Sequence, residues 1–406
     1  NLRSKTIIML STSIALNRVT ESATLKMATL SRELAAKGVN IISLSLGEPD
    51  FSSPDHIHQA AIDAINTGKF DSYSPVTGYL DLRQAICTKL LRDNNLEYKP
   101  ENIVVSTGAK HSLFNIFSAF INPGDEVIIP SPFWVSYPEQ IKYCDGIPVY
   151  IKTTVADNFK MSAAQLEAAI TPKTKFLVYS SPCNPTGAVY TKDELAAFVA
   201  VLEKYPHVHV VSDEIYEFLN YEGKHVSIAE FPSMKDRTIV VNGQAKGFAM
   251  TGWRIGYIAA PAYIAKACEK LQGQVTSGTN SVAQRATIAA LTGSLEPTYK
   301  MREAFKIRRK MVYDLMLEIP GFKCTMPEGA FYLFPDISYY FGKSYNGQTI
   351  ENAEDFAMYL LNEGHVAAVS GDGFGAPECI RFSYAASEAN LVEAFTRIKN
   401  ACAKLV

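Results

Sequence analysis

Lys246 follows an apolar run closely, in Val240-Val241-Asn242-Gly243-Gln244-Ala245-Lys246-Gly247. Small neighbours leave its amine little steric cover, and a lysine desolvated in this way serves as nucleophile and base. A loop lysine taken alone is more often simply solvated. Eight residues on, Arg254 lies in Thr251-Gly252-Trp253-Arg254-Ile255-Gly256-Tyr257. Its guanidinium fork between glycines suits a phosphate gripped by two hydrogen bonds, or a structural ion pair. Asp213 closes another apolar run and offers a carboxylate to a cation or to a helix N-terminus. Thr107-Gly108-Ala109-Lys110 opens a helical pattern, where free backbone N–H groups attract an anion. Asn184-Pro185-Thr186-Gly187 reads by itself as a turn. Tyr216 reads as a half-buried aromatic and Trp134 as a core indole.

What must position these residues is a set of short β-rich runs at 103–105, 126–129, 148–151, 176–179, 208–211, 238–241 and 255–259. Helical patterns alternate with several of them, as at 112–121, where Leu113, Phe114, Phe117 and Phe120 recur at helical spacing. Such αβ units predict a mostly parallel or mixed sheet covered on both faces. Ligands in open α/β sheets sit at the carboxyl ends of strands, which is where Thr107-Gly108, Asn184, Asp213 and Lys246 fall. After residue 300 the pattern changes to a long charged helix (301–317), short strands (330–334, 367–370, 380–384) and a final helix (388–405). That is the pattern of a smaller α+β unit.

Composition sets the limits. The chain has 406 residues, 47% hydrophobic and 20% charged, enough to bury a large core without disorder. Lys and Arg number 39 against 41 Asp and Glu, a net charge of −2, so no basic field exists to gather nucleic acid. Seven cysteines are scattered singly with no CxxC pair, as expected of a reduced, cytoplasmic protein. No apolar stretch is long enough to span a membrane. Arg3 and Lys5 before Ile7-Ile8-Met9-Leu10 resemble a secretory leader only superficially, because Ser11-Thr12-Ser13 interrupts the run. No metal is expected: the seven histidines lack an HExxH-like spacing, and His207-Val208-His209 fits a strand with both rings on one face. Gly371-Asp372-Gly373-Phe374-Gly375 lacks the dinucleotide spacing and reads as a loop of the smaller unit.

Lys246 followed at eight residues by Arg254-Ile255-Gly256-Tyr257 resembles the cofactor-lysine signature of class I pyridoxal-phosphate aminotransferases of fold type I, and Lys110, Met250-Thr251-Gly252-Trp253-Arg254 and Gln272-Gly273-Gln274 resemble their bacterial and plastid-type aspartate branch. The resemblance runs from Ser45-Leu46-Gly47-Glu48-Pro49-Asp50-Phe51 to Ile380-Arg381-Phe382-Ser383-Tyr384, in the family's order. It implies an α/β fold with a large cofactor-binding domain at 59–300. A small domain at 301–406 is joined by the N-terminal segment 1–58. Lys246 then holds pyridoxal 5'-phosphate as an imine and moves the substrate's α-proton, its pKa lowered by desolvation and cationic neighbours. Asp213 pairs with the pyridinium nitrogen and keeps the ring an electron sink. Tyr216 and Asn184 donate to the phenolic oxygen. Trp134 stacks on the ring, while Arg254 and the Gly108-Ala109-Lys110 turn hold the phosphate. Tyr73 reaches the phosphate of a neighbouring subunit, which makes the active unit a homodimer. Arg381 clamps the substrate α-carboxylate, with Asn184, Trp134 and the backbone of Gly47 around it.

The distal pocket decides which amino acid is used. Lys110 stands where this branch has a lysine near the distal carboxylate, so aspartate and 2-oxoglutarate are the expected pair in a ping-pong transfer. Arg18 is a candidate helper. Aromatic or prephenate specificity is the alternative, with Lys160 as a ligand for a second acidic group, as is a β-lyase on the same fold. A ligand-sensing transcription regulator is disfavoured, because the motifs begin within the first 50 residues. Gln244 departs from the smaller residue usual at its place.

Overall fold

The computed structural model describes residues 10–406, so Arg3, Lys5 and Ile7–Met9 of the leader-like stretch lie outside the described residues. The core is a seven-stranded sheet: β1 Ile103–Ser106, β2 Glu126–Ser131, β3 Ile147–Lys152, β4 Thr174–Ser180, β5 His209–Asp213, β6 Thr238–Gly243 and β7 Gly256–Ala259. Its spatial order is β1-β7-β6-β5-β4-β2-β3. All neighbours run parallel except β7, which is antiparallel to both β1 and β6. Strands such as Thr238–Gly243 are buried along their whole length, which is why they read as continuous apolar runs rather than alternating ones. The reversed β7 matters most for function. Its first residue, Gly256, pairs with Ser106 and with Gly243, the last residues of β1 and β6. Arg254, which precedes β7, is therefore delivered to the same edge as the carboxyl ends of the other strands.

Of the helices α1 Ala23–Ala36, α2 Leu80–Asn94, α3 Ala109–Phe120 and α4 Glu296–Leu317, α1 and α3 contribute residues to the site. α3 buries Leu113, Ile116 and Phe117 against the sheet. It starts three residues before the apolar periodicity does, because Gly108, with φ 85, turns the chain directly out of β1. Similarly, α4 begins at Glu296 rather than 301, with a proline in its first turn where no N–H is needed. The final helix ends at Cys402, short of 405.

The C-terminal strands are shorter than their apolar runs. Of 330–334 only Tyr332–Leu333 is a strand. The run 367–370 is split at Ala368: Val366–Ala367 pairs in parallel with Ile42–Ser43 of the N-terminal segment, and Val369–Ser370 pairs with Ile380–Ser383 in another sheet. Ile42, Leu44 and Met27 thereby join one apolar cluster with Phe305, Phe331, Phe356 and Phe382. The histidine pair needs correction as well, since β5 starts at His209 and His207 precedes it. His207 Nε2 lies 3.2 Å from Thr171 O, and His209 Nε2 lies 3.0 Å from the Tyr263 hydroxyl. The seven cysteines are all free. Among the described residues no helix is long and apolar enough to cross a membrane, and no cluster of three or more His, Cys, Asp or Glu could hold a metal.

Candidate active site

The strand ends converge on a cavity of about 280 Å³ lined by residues from 22 to 381. It brings together Gly47, Gly108, Ala109, Lys110, Trp134, Asn184, Asp213, Tyr216, Lys246, Arg254 and Arg381. Tyr73 is not brought there: it is 99% exposed and lies off the cavity of its own chain.

At one end, Arg254 sits in the left-handed conformation, φ 57, and donates from Nη1 to Thr251 O at 2.8 Å. Its other amino group lies so close to Gly108 that a Cβ there would be 2.4 Å from Nη2. A Cβ on Gly256 would be 2.3 Å from the Ala109 amide nitrogen. Two glycines thus let the N-terminus of α3, the guanidinium and β7 crowd together. The positive end of a helix and a solvent-facing guanidinium make an anion cradle of phosphate type.

At the floor, Asp213 is the last residue of β5 and is 5% exposed. It accepts from the Tyr137 hydroxyl at 2.6 Å and from Ile215 N–H at 3.3 Å. Burial raises its pKa to about 6, against the pull of the Tyr137 and Ile215 hydrogen bonds. Its partners are a hydroxyl and an amide, not a cation, so a protonated ring nitrogen would repay the cost of keeping the charge buried. Lys246 donates from Nζ to Gly47 O and lies over the Tyr216 and Phe331 rings at 5.6 and 5.9 Å. Burial, then the positive charge of Arg381, lowers its pKa to about 8. That puts an uncharged amine within easy reach at neutral pH, as imine formation with an aldehyde requires.

Tyr216 is not on a helix but on the turn leading to Glu217–Leu219, and its hydroxyl meets that of Tyr332 at 2.7 Å. Arg381 is 2% exposed, and its carbon lies over the Tyr332 and Phe374 rings at 4.5 and 4.9 Å. Nη1 donates to Asn184 Oδ1 at 2.9 Å and Nη2 to Ser45 O at 2.6 Å, which fixes the fork before any ligand arrives. Lys110, exposed at the rim, holds its ammonium 5.0 Å from the Trp134 ring. Desolvation of that ammonium, then the charge of Arg254, lowers its pKa.

Two expected cations point elsewhere. Arg18 pairs with Asp145 at 3.0 Å, and Lys160 pairs with Glu194 and Glu328 at 3.3 and 3.2 Å, so neither lines the cavity. Their sequence surroundings carry no sign of these partners, which come from elements far away in the chain. Gln244 is 2% exposed, with its carbonyl oxygen unpartnered inside the loop. Residues that sequence reasoning missed are Tyr137, Tyr332, Ser45, Ser180 and the Ser22–Leu25 stretch of the N-terminal segment. Tyr137, three residues after Trp134, reads by sequence alone as a further core aromatic.

A model of the family Aminotransferase class I and II matches residues 39–398. The chain belongs to this family. It is 48% identical over 391 residues to a probable aspartate/prephenate aminotransferase of Rhizobium leguminosarum bv. phaseoli, covering 96% of this chain and 98% of that one. It is 46% identical over 383 residues to an aspartate aminotransferase of Bacillus subtilis, covering 94% and 96%. Among solved structures, the aspartate aminotransferase of Rhizobium meliloti superposes with a TM-score of 0.94 at 40% identity, covering 98% of this chain and all of that one. As a class I aminotransferase the protein is a transaminase that uses pyridoxal 5'-phosphate and acts on amino and keto acids. The cavity fits that cofactor: an anion cradle at one end, a buried carboxylate wanting a cation at the floor, and a deprotonatable amine between.

Proposed function

We propose that the chain is an aspartate aminotransferase that moves the amino group of L-aspartate to 2-oxoglutarate. The observation that carries this reading is the pairing, on one cavity, of a preformed guanidinium fork, Arg381, with a second cation, Lys110, at the rim. Two separated cations suit a dicarboxylic substrate, and the names of the relatives agree.

In this reading Arg254 and the N-terminus of α3 hold the cofactor's phosphate, Asp213 holds its ring nitrogen, Trp134 covers its face, and Tyr216 and Asn184 donate to its phenolic oxygen. Pyridoxal 5'-phosphate, when bound, supplies the electron sink that makes an amino acid's Cα–H bond breakable. Lys246 does the proton work at the substrate's Cα: its lowered pKa lets the amine accept a proton there and return it at similar cost. Arg381 orients the substrate by its α-carboxylate, so that the Cα–H faces Lys246, while Lys110 draws the distal carboxylate. Gly47 must be glycine for this arrangement, because a Cβ would fall 2.3 Å from the Tyr332 hydroxyl. Closure of the 301–406 unit with the N-terminal segment would expel water from around both carboxylates.

The exposed phenol of Tyr73 supports a homodimer in which each copy completes the other's phosphate site. The seven free thiols support a cytoplasmic home. Prephenate as a further amino acceptor is a second reading favoured by the name of the Rhizobium leguminosarum relative. Steady-state kcat/KM for aspartate, phenylalanine and alanine with 2-oxoglutarate tests the proposal, with prephenate then offered as acceptor. Preference for aspartate supports it, and equal or better use of phenylalanine or alanine contradicts it.

A further inference from the structure

The segment Asp213-Glu214-Ile215-Tyr216-Glu217 turns two of its polar side chains, Asp213 and Tyr216, toward the cavity and two glutamates away from it. Glu217, 8% exposed, is the hub of the hidden side. Its Oε1 accepts from Lys89 Nζ and, at 3.0 Å, from Asn242 Nδ2; its Oε2 accepts from Asn94 Nδ2 at 2.8 Å. Lys89 also donates to Asn94 Oδ1 at 2.7 Å, and Asn242 Oδ1 accepts from Gly243 N–H at 2.7 Å. Lys89, Asn94 and Asn242 are each 1% exposed. Burial alone would raise the pKa of Glu217, but the charges of Lys89 and His225 and its donors hold it below the usual carboxylate value.

These partners come from two elements. Lys89 and Asn94 belong to α2, while Asn242 lies near the end of β6, four residues before Lys246. A single carboxylate therefore ties the turn that carries Asp213 and Tyr216 to the strand end that delivers Lys246. A buried ion pair is a poor way to gain stability, since apolar residues of like volume commonly do as well; what it supplies is fixed geometry. Glu214 repeats the pattern one turn earlier, accepting from Ser212 and Ser227 hydroxyls at 2.8 and 2.6 Å beside His225 Nε2 at 3.0 Å.

We propose that Glu217 is a positioning residue for the reaction, fixing the Asp213–Tyr216 turn relative to Lys246 from the side away from substrate. This rests on the reading that Lys246, Asp213 and Tyr216 hold the cofactor. The test uses Glu217→Gln and Asn242→Ala in the full-length holoenzyme, with Glu217→Asp as the conservative variant and Lys246→Ala in parallel. Displacing the Tyr216 hydroxyl removes a donor to the phenolic oxygen. The pH midpoint of the cofactor–lysine absorbance band then rises by about 0.5 to 1 unit in the first two variants, with partial recovery in Glu217→Asp. kcat falls roughly tenfold while KM for aspartate stays within about twofold, because Arg381 is untouched. If Glu217→Gln fails to fold, Asn242→Ala, which removes one neutral amide and leaves the Glu217–Lys89 ion pair in place, gives the same readout. A lower Tm with an unmoved midpoint in every folded variant overturns the inference, provided that Lys246→Ala has lost the band. Persistence of the band in Lys246→Ala overturns the underlying reading, and this inference with it.

Discussion

Arg381→Lys keeps the positive charge and removes the fork. In the structure the guanidinium is held between the Tyr332 and Phe374 rings and by hydrogen bonds to Asn184 Oδ1 and Ser45 O, so its plane and its outward N–H groups are fixed. A lysine ammonium presents its donors from one nitrogen and cannot serve Asn184, Ser45 and both oxygens of a carboxylate together. One charge-assisted hydrogen bond to substrate is lost, worth about 1.5–3 kcal/mol, which is roughly 10- to 150-fold in kcat/KM. The loss should be the same for aspartate, glutamate and alanine, because all share the α-carboxylate. The assay is steady-state kcat/KM for the three donors, alongside the affinity of the apoprotein for pyridoxal 5'-phosphate, which should change by no more than about threefold. A kcat/KM within about threefold of the parent, or a fall that merely tracks lost cofactor, refutes the placement of the α-carboxylate on Arg381.

Lys110→Ala should separate the two ends of the substrate: kcat/KM for aspartate falls roughly tenfold, as expected for the loss of one charge-assisted hydrogen bond, while that for alanine holds. Equal losses for both donors would show that Lys110 does not read the distal carboxylate. Gly256→Ala puts a Cβ 2.3 Å from the Ala109 amide, forcing α3 away from β7. Cofactor affinity, read by fluorescence titration of the apoprotein, should weaken at least about tenfold, with about 1–3 kcal/mol of stability lost to overpacking. An unchanged affinity would remove the N-terminus of α3 from the phosphate site. In the apoprotein, burial raises the pKa of Asp213 from 3.8 to about 6, so the folded chain binds that proton more tightly than the unfolded one. The stabilisation is full below about pH 4 and is lost as pH climbs to about 6, a change of about 2–3 kcal/mol. Urea unfolding of Asp213→Asn should lack this part of the pH slope; an identical slope in both proteins contradicts it.

Much of the sheet was legible because strands buried on both faces leave continuous apolar runs, such as 126–129 and 238–241, ended by polar residues. Lys246, Asp213 and Asn184 fell at such ends, so their convergence followed from topology. The reversal of β7 was not legible: nothing in Gly256–Ala259 marks its direction, which is set by its neighbours β1 and β6. The break at Ala368 was hidden too, because an apolar run looks the same whether it serves one sheet or two. Tyr137 and Tyr332 escaped notice because a buried tyrosine reads as core until the partner of its hydroxyl is known, and those partners lie 76 and 116 residues away. Arg18 and Lys160 misled for the matching reason, since a cation reads as free until its carboxylate is seen.

The most direct test follows the absorbance of the purified, cofactor-loaded protein as aspartate is added, and then 2-oxoglutarate. Loss of the cofactor–lysine band on aspartate and its return with the keto acid, both absent in Lys246→Ala, is the predicted result. A band that ignores aspartate, or one that survives without Lys246, contradicts the account.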